Sequence, residues 1–230
     1  MIKISKKGSY IVIFVAVVIV IFLMIYFVSF IKTITIFNQT KNDIPAGEIY
    51  GDIKIGQTFI AEYDNLTGIK VLLATYDRKN IGNFIFHLKS NIQSKEDEFI
   101  YHGDLNKVKD NKYFNFNFPA IRNSKGKKYY FYLESPHAQF GNAITIWSNT
   151  LDSYKDGEKI VNGVVSEGDL VFLTTYDSGV INNFSIFLDK ITKNKPFPLE
   201  KKLFYIILIS LFILCCSLFI TILVKFFFDY

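Results

Sequence analysis

Aromatic and amide side chains on alternating segments are the residues in this sequence with the clearest chemistry. Sugar rings have apolar C–H faces that stack on aromatic rings, and their hydroxyl groups pair with amides and carboxylates. Alternation puts one such set on the outward sides of three segments: Tyr130, Tyr132, Trp147, Asn115 and Asn117. We therefore predict a glycan-binding platform made of these residues. Exposed aromatic patches also mark protein interfaces, so a partner protein is an equally open reading of the same group.

Acidic residues give only a weak signal for catalysis. Glycoside hydrolysis needs two carboxylates about 5–10 Å apart, which loops can bring together. The residues that qualify in this loose sense are Glu134, Asp152, Asp156 and Asp169. The sequence has no G-x-S-x-G, no nucleotide-binding loop and no zinc motif. We predict a protein that is not an enzyme, with a glycosidase-like envelope enzyme as the alternative.

Metal ligands are also poorly represented. His87, His102 and His137 share no ligand spacing. The segment Asp152–Gly157 is similar to a calcium loop, but Tyr154 stands where an oxygen ligand belongs and Gly163 where the bidentate Glu belongs. We predict a plain turn there, no metal and no cofactor, and leave open a calcium site built from scattered loop oxygens.

Short alternating runs separated by turn residues supply the elements that would position these side chains. The predicted strands are Ile53–Ala61, Gly68–Tyr76, Asn83–Ser90, Tyr113–Phe118, Lys128–Glu134, Asn142–Trp147 and Leu170–Tyr176, with Glu98–Tyr101 and Lys159–Val161 as weaker ones. The predicted core residues on them are Phe114, Phe116, Phe118, Tyr129, Phe131, Leu133, Ile144 and Ile146. This spacing, without helices between the strands, predicts an all-β fold, a two-sheet antiparallel jelly-roll-like sandwich.

Two apolar stretches flank the β-rich region. Tyr10–Ile31 and Leu203–Val224 each have 22 residues without a charge, which is long enough for a helix to cross a hydrocarbon core of about 30 Å. The first follows Lys3, Lys6 and Lys7 but is too long, and too poor in small residues at its end, for a cleaved signal peptide. We predict two transmembrane helices in the cell membrane, with both termini cytoplasmic and the main domain extracytoplasmic.

The predicted domain plan follows from these boundaries. It reads 1–9 cytoplasmic tail, 10–31 transmembrane helix, 32–50 linker, 51–178 sandwich, 179–202 amphipathic helix and linker, 203–224 transmembrane helix and 225–230 cytoplasmic tail. Residues 32–202 carry 22 basic and 20 acidic side chains without a basic cluster, which argues against nucleic-acid binding. The predicted partners are the lipid bilayer, a membrane protein or a second copy of the chain, and a glycan. Asn38, Asn65 and Asn183 begin sequons, which are acceptors only where a host glycosylates them.

The period changes from two to 3.6 after the last strand. The apolar residues that then share one helical face are Val180, Ile181, Phe184, Phe187, Leu188 and Ile191. We predict a helix from about Val180 to Lys193 that ends before Pro196, resting either at the membrane surface or against the sandwich. Leu73–Asp77 and Leu173–Asp177 are nearly identical, but only the first is followed by a strand pattern, so we do not infer a repeat.

Small polar residues form a stripe in the second apolar stretch. Ser210, Ser217 and Thr221 recur at helical spacing, and such stripes let helices approach closely in lipid. They predict a contact with the first span or with a partner's helices. Cys215 and Cys216 lie in the same stretch and are interpreted as small apolar filler, so the outer domain has no disulfide.

Several runs of the sequence resemble a known kind of domain. They are Ile55-Gly-Gln-Thr-Phe59, Leu66–Tyr76, Lys128–Pro136, Gly141–Trp147, Tyr154–Gly157 and Gly168–Phe172. Together they are similar to a β-sandwich in bacterial and archaeal membrane proteins of surface-polysaccharide type. The resemblance implies a jelly roll similar to galactose-binding-like modules, often found beside multi-span glycosyltransferase-like segments. It implies no catalytic residues, and we expect an accessory or scaffold subunit of envelope-glycan machinery, not a transferase.

Overall fold

The computed structural model describes residues 33–177 and 180–228, with five positions before them (14, 15, 18, 22 and 26). The chain divides into two compact units, Thr33–Asp177 and the combination of Met1–Lys32 with Ser178–Tyr230. The predicted first span, Tyr10–Ile31, lies outside the described residues except for those five positions. At 180–183, 186, 221, 223–225, 227 and 228 the description covers the backbone alone.

The unit Thr33–Asp177 is an all-β antiparallel sandwich of two sheets. Its strands are β1 Thr33–Gln39, β2 Ile44–Ile49, β3 Lys54–Ile60, β4 Leu66–Ala74, β5 Asn83–Lys89, β6 Phe99–Asp104, β7 Lys112–Ile121, β8 Lys128–Glu134, β9 Ile144–Asn149, β10 Lys159–Val161, β11 Val164–Ser166, β12 Asp169–Leu170 and β13 Phe172–Asp177. Sheet A contains β1, β2, β4, β7, β9, β12 and β13, and sheet B contains β3, β5, β6, β8, β10 and β11. A short 3-10 helix, Leu105–Lys107, joins β6 to β7.

The order of the eight principal strands fits a jelly roll. These strands, in chain order, are β1, β3, β4, β5, β6, β7, β8 and β13. In sheet A the order β1-β13-β4-β7 places the first, eighth, third and sixth of them side by side. In sheet B the order β3-β8-β5-β6 does the same for the second, seventh, fourth and fifth, so the chain crosses between the sheets at most of its connections.

Aromatic side chains fill the space between the sheets. Phe86 of sheet B stacks on Phe116 of sheet A with ring centroids 3.9 Å apart, and Phe172 of sheet A meets Phe59 and Phe131 of sheet B at 5.8 and 5.4 Å. The alternation in β7, β8 and β9 therefore identified the core correctly. Of the predicted core residues on these strands, only Phe114 is half-buried; the others are buried.

The segment predicted as a linker, residues 32–50, belongs to the sandwich instead. Within it, β1 pairs with β13 and β2 pairs with β9. Pro45 and Gly47 suggested a break, but β2 is an edge strand, where proline is tolerated because the free side of the strand needs no N–H donor. The register of β2 shifts between Pro45 and Glu48, which accommodates both residues. The prediction of a linker is thus wrong for residues 33–49.

Two helices follow the sandwich in the chain, α1 Val180–Thr192 and α2 Lys202–Phe228. The change of period correctly predicted α1, and Asn183–Leu188 is helical, not a strand. Within α2, the segment Lys202–Ile220 has a mean hydropathy of 2.9, and none of it is buried. By length and composition it can therefore cross a membrane. It is the one helix of this length and composition among the described residues, which therefore support a single membrane span.

The predicted polar stripe of the second span is partly described. The Ser210 hydroxyl donates to the carbonyl oxygen of Ile206 at 2.9 Å, and the Ser217 hydroxyl donates to that of Leu214 at 2.7 Å. Both hydroxyl groups therefore have a partner within α2. The side chain of Thr221 lies outside the description, and the helix–helix contact stays a prediction.

Candidate functional site

The residues of the predicted platform lie on two different sheets. Tyr130 and Tyr132 are on β8 of sheet B, whereas Trp147 is on β9 and Asn115 and Asn117 are on β7 of sheet A. All five alternate with core residues and so point away from the sandwich interior. The outer faces of the two sheets point in opposite directions, however. A single platform made of all five residues is therefore wrong.

The tyrosine pair of β8 is covered. Tyr130 and Tyr132 are only 6% and 8% exposed, and they form a small cluster with Ile160 and the partly buried Ile92. Their rings stack with centroids 5.5 Å apart. Burial, with a contribution from the nearby Glu134 carboxylate, raises the pKa of Tyr132 to about 12. These rings pack the outer side of sheet B and offer little surface to a ligand.

A charged network surrounds this tyrosine pair. The His87 ring stacks on Tyr132 with centroids 4.3 Å apart. Its Nδ1 lies 3.2 Å from Asp97 Oδ2 and its Nε2 lies 3.3 Å from Glu134 Oε1. Desolvation alone would raise the pKa of Glu134, but the ion pair with Lys54 at 2.7 Å and the proximity of His87 outweigh it and lower that pKa. The network fixes Glu134 as a carboxylate between two basic groups.

The outer face of sheet A carries the other part of the prediction. Register places Tyr113 opposite Leu72, Asn115 opposite Lys70 and Asn117 opposite Gly68. All three β7 residues are exposed, and Tyr113 is 38% exposed. Sequence alternation therefore put Asn115 and Asn117 on the correct face.

Trp147 is half-buried on this outer face, opposite Pro45 of β2. Its Nε1 donates to Asn111 Oδ1 at 2.7 Å. Asn111 has a positive φ of 54° and in turn donates through Nδ2 to Asp110 Oδ2 at 2.5 Å. The indole is thus held by a turn that precedes β7, at the same end of sheet A as the last residues of β4.

Asp110 organises the neighbouring turn after β4. The Thr75 amide and hydroxyl both donate to Asp110 Oδ1, at 2.5 and 3.2 Å. Desolvation would raise the pKa of Asp110, but the backbone N–H groups of Thr75, Asp77 and Tyr76 outweigh it and lower the pKa. The Thr75 amide thus hydrogen-bonds this carboxylate, and the Tyr76 and Asp77 amides are near enough to lower its pKa, an arrangement similar to an anion-binding nest that a side chain of the protein already occupies.

The turn held by Asp110 presents a tyrosine in an uncommon conformation. Tyr76 and Asp77 both have a φ of 56°, a region that bulky residues rarely adopt and that costs of order 1–3 kcal/mol. Tyr76 is 41% exposed, and the Arg78 guanidinium lies 4.7 Å from its ring centroid. Arg78 also pairs with Glu48 at 2.8 Å. The surrounding contacts therefore hold this exposed ring in place.

These residues lie at the same end of sheet A and are called here the Trp147 surface: Trp147, Asn111, Asp110, Tyr113, Tyr76 and Arg78. Glu48 lies opposite Thr145 on the outer face of sheet A, so the Arg78–Glu48 pair places the Tyr76 turn on the same side as Trp147. The sequence pattern identified Trp147 as an outward-facing residue. It missed Tyr76, Asp110 and Asn111, because their proximity depends on pairing between distant strands. The Asp110–Asn111 pair directly before a strand was the one local signal, since Asn tolerates a positive φ.

The remaining acidic residues have structural partners or stand in turns. Asp169 is buried and accepts hydrogen bonds from the Ser153 and Tyr154 amides at 2.7 and 2.8 Å. Asp152 is exposed and pairs with Lys155 at 2.7 Å. Segment 152–157 contains a turn at 155–156, and Asp169 holds the two residues that precede it. Over the described residues, no group of three or more His, Cys, Asp or Glu side chains is arranged to hold a metal ion.

Comparison with known proteins gives only distant structural likeness. No protein-family model and no curated protein matches the sequence. One similar solved structure holds the cysteine protease and lectin-like domains of Cwp84, a surface layer associated protein of Clostridium difficile, with a TM-score of 0.44 and 10% identity over 64% of this chain. Another is a ruminal GH26 endo-β-1,4-mannanase, with a TM-score of 0.28 and 11% identity over 72% of this chain. The matches span 36% and 30% of those chains, about a third of each.

Proposed function

We propose that the sandwich is a glycan-binding module and that its ligand contacts the Trp147 surface. The observation that carries this proposal is the set of three part-exposed rings, Trp147, Tyr76 and Tyr113, on one side of sheet A. Two of them are held by specific contacts, one to Asn111 and one to Arg78. Rings fixed before binding lose little conformational entropy when a ligand arrives.

The polar groups around these rings suit a sugar. Asn111, Asn115 and Asp77 are exposed, so amide and carboxylate oxygens and amide N–H groups stand beside the aromatic carbons. A pyranose ring presents C–H groups on its faces and hydroxyl groups at its rim. Stacking of a face on an aromatic ring leaves the rim to pair with amides and carboxylates. The Trp147 surface offers this combination of groups.

In this proposal the protein binds its glycan without cleaving it. A general acid in glycoside hydrolysis needs a raised pKa, whereas the pKa of Glu134 is lowered by its ion pairs. Asp169 is 1% exposed and its oxygens are occupied by donors. Neither residue therefore suits the acid role.

The proposed setting is the cell envelope. α2 is long and apolar enough for a membrane span, and we infer that it anchors the sandwich on the extracytoplasmic side as an accessory or scaffold subunit of glycan machinery. The orientation with both termini cytoplasmic belongs to this proposal. A reporter that is active only outside the cytoplasm, inserted at Gly126, should be active, and the same reporter after Tyr230 should be silent. Activity after Tyr230 would contradict the proposed topology.

Substitution of Trp147 tests the binding proposal. Purified full-length protein in mild detergent would be run through native gels that contain soluble glucan, galactan, mannan or xylan, and retardation would be measured. Loss of a stacked ring of this size removes about 1.5–3 kcal/mol, so Trp147→Ala should weaken binding to the polysaccharide in the gel about 10- to 150-fold. Phe37→Ala is the matched control, because Phe37 is a 68% exposed aromatic on β1.

Stability measurements separate binding from folding in this test. Trp147 is half-buried, so we expect Trp147→Ala to unfold in urea, followed by circular dichroism, close to the wild-type midpoint. A loss of about 3–5 kcal/mol, typical of a core aromatic, would show that the ring supports the fold instead. Equal retention of the Trp147 and Phe37 variants by every polysaccharide would also contradict the proposal.

A further inference from the structure

One long edge of the sandwich is open. β7 spans ten residues and pairs with β4 along one side. Among the described residues none pairs with its other side, so the N–H and C=O groups there have no partner in the described part of the chain. β6, the terminal strand of sheet B, likewise pairs only with β5 among the described strands. Open edges are templates on which another strand can pair.

The central run of β7, Tyr113–Phe118, lies between features that protect sheet edges: Lys112 precedes it, and Pro119 with a shift in register follows it. Within Tyr113–Phe118 there is no charged residue, proline or glycine. Two other edges offer shorter uninterrupted runs: β2 contains Pro45 and a shift in register, and β11 has only three residues. The six residues between Lys112 and Pro119 are long enough to pair with another strand, and an exposed uncharged run of this kind favours aggregation unless a defined partner covers it.

Aromatic side chains flank the open edge. Phe118 of β7 meets Phe99 of β6 with ring centroids 5.3 Å apart, and Phe114 meets Tyr101 at 5.8 Å. Phe99, Tyr101 and Phe114 are all partly exposed, although they face the core between the sheets. A strand added to β7 would cover this apolar seam as well as the free backbone groups.

The partner inferred for this edge is a second copy of the chain. Phe114-Asn115-Phe116-Asn117-Phe118 reads the same in both directions. We propose that β7 pairs antiparallel with β7 of a second copy, about a two-fold axis at Phe116. In this register Phe114 lies opposite Phe118 of the partner copy, and Asn115 lies opposite the partner's Asn117. Residues directly opposite each other share a face, so phenylalanines continue the core side and asparagines the outer side.

Self-complementarity favours a second copy over an unrelated peptide. A two-fold interface needs a surface that matches itself, and a palindromic strand supplies it with every position paired to its own kind. The side-chain amide of Asn115 can donate to that of the opposite Asn117, and the amide of Asn117 can donate in return. Each outer pair can therefore form its own hydrogen bonds. The inference goes beyond the proposed function and does not depend on it. The dimer would, however, join the outer faces of sheet A from the two copies.

Cysteine trapping tests the register. In a Cys215→Ser, Cys216→Ser background, the double variant Asn115→Cys, Asn117→Cys should form two disulfides across the axis in the full-length protein in mild detergent. Opposite residues have Cβ atoms about 4.5–5.5 Å apart, close to what a disulfide needs. The single variant Asn115→Cys should remain reduced, because residue 115 of the partner copy lies on the diagonal across the axis, about 7–8 Å away. Equal cross-linking of the single and double variants, or none in either, would overturn the proposed register.

Charge on the edge tests the dimer itself. Wild-type protein should have the mass of a dimer in detergent-corrected light scattering. Asn115→Lys, Asn117→Lys puts like charges directly opposite each other in both pairs and should weaken dimerisation at least about tenfold. Asn115→Thr, Asn117→Thr at the same positions should stay dimeric. A monomeric wild type, or a dimer unaffected by the lysines, would refute the β7 interface. The Trp147→Ala variant should remain a dimer, so failure of the glycan proposal can be distinguished from failure of the dimer proposal.

Discussion

The buried carboxylate of Asp169 should be a determinant of sandwich stability, and Asp169→Asn measures it. Asp169 is 1% exposed on β12. Its Oδ2 accepts from the Ser153 and Tyr154 amides, and its Oδ1 accepts from Gln57 Nε2 at 3.0 Å. The first two bonds hold the turn before β10, and the third joins sheet A to β3 of sheet B. An asparagine has almost the same shape but only one acceptor oxygen.

The expected loss can be worked out from these three bonds. If the asparagine oxygen keeps Ser153 and Tyr154, its N–H₂ group faces the N–H₂ group of Gln57. Gln57 cannot turn its amide without cost, because its Oε1 accepts from the Leu170 amide at 3.0 Å. One hydrogen bond to a charged group, worth about 1.5–3 kcal/mol, is lost and the other two become neutral. Relief of the buried charge offsets part of this, so we expect the free energy of unfolding to fall by about 2–4 kcal/mol.

Urea unfolding of the full-length protein in detergent would measure the change. Trp147 is the one tryptophan of the chain and lies in the sandwich, so its fluorescence follows this unit. The midpoint for Asp169→Asn should be about 1–2 M lower in urea. Asp152→Asn is the matched control: Asp152 is exposed, pairs only with Lys155, and should change stability by less than about 0.5 kcal/mol. If both variants unfold at the wild-type midpoint, Asp169 does not stabilise the turn as inferred.

Two further changes test the charged network and a close approach of the backbone. The pKa of Glu134 is lowered from its ordinary value of 4.5, so the stability it contributes is full above that value and is lost as pH falls through the lowered pKa. Glu134→Gln should therefore lower stability at pH 7 and flatten its dependence on pH between about 5 and 3, measured by thermal unfolding; an unchanged slope would contradict this. A Cβ at Gly157 would collide with the Thr58 carbonyl oxygen. Gly157→Ala should therefore cost more than the roughly 1 kcal/mol typical of substitutions, whereas Gly126→Ser, in open space but at a φ of 75°, should cost only its backbone strain. Similar midpoints for Gly157→Ala and wild type would show that the loop moves without cost.

Strand positions were predictable because alternation is a local property. Every predicted strand, including the weak ones at 98–101 and 159–161, overlaps an observed strand. Thr33–Ile36 also alternates, but the polar character of residues 32–50, with Pro45 and Gly47, led to the prediction of a linker. The pairing of β1 with β13 decides the matter, and that pairing joins residues more than 130 positions apart. Local sequence carries no record of such a partner.

The candidate site was predictable only in part for a related reason. Alternation states that Tyr132 and Trp147 point away from the core, yet it does not state which sheet each belongs to. In this strand order β8 and β9 are consecutive in the chain but lie on opposite sheets. Exposure also depends on neighbours, since Tyr132 is outward-facing but covered by groups such as Ile160 and Lys54.

The two Tyr-Asp pairs of the chain show how far distant contacts decide local structure. Tyr76 and Tyr176 end nearly identical segments on neighbouring strands, β4 and β13. Tyr76 lies in a left-handed turn because backbone amides there bind Asp110, and its ring is exposed. Tyr176 stays extended and buried, because its hydroxyl accepts from the Glu62 amide at 3.0 Å and its ring packs edge-on against Tyr63. The same dipeptide thus supports the fold at one end of the sandwich and forms part of the proposed binding surface at the other, and the difference lies in Asp110 and Glu62.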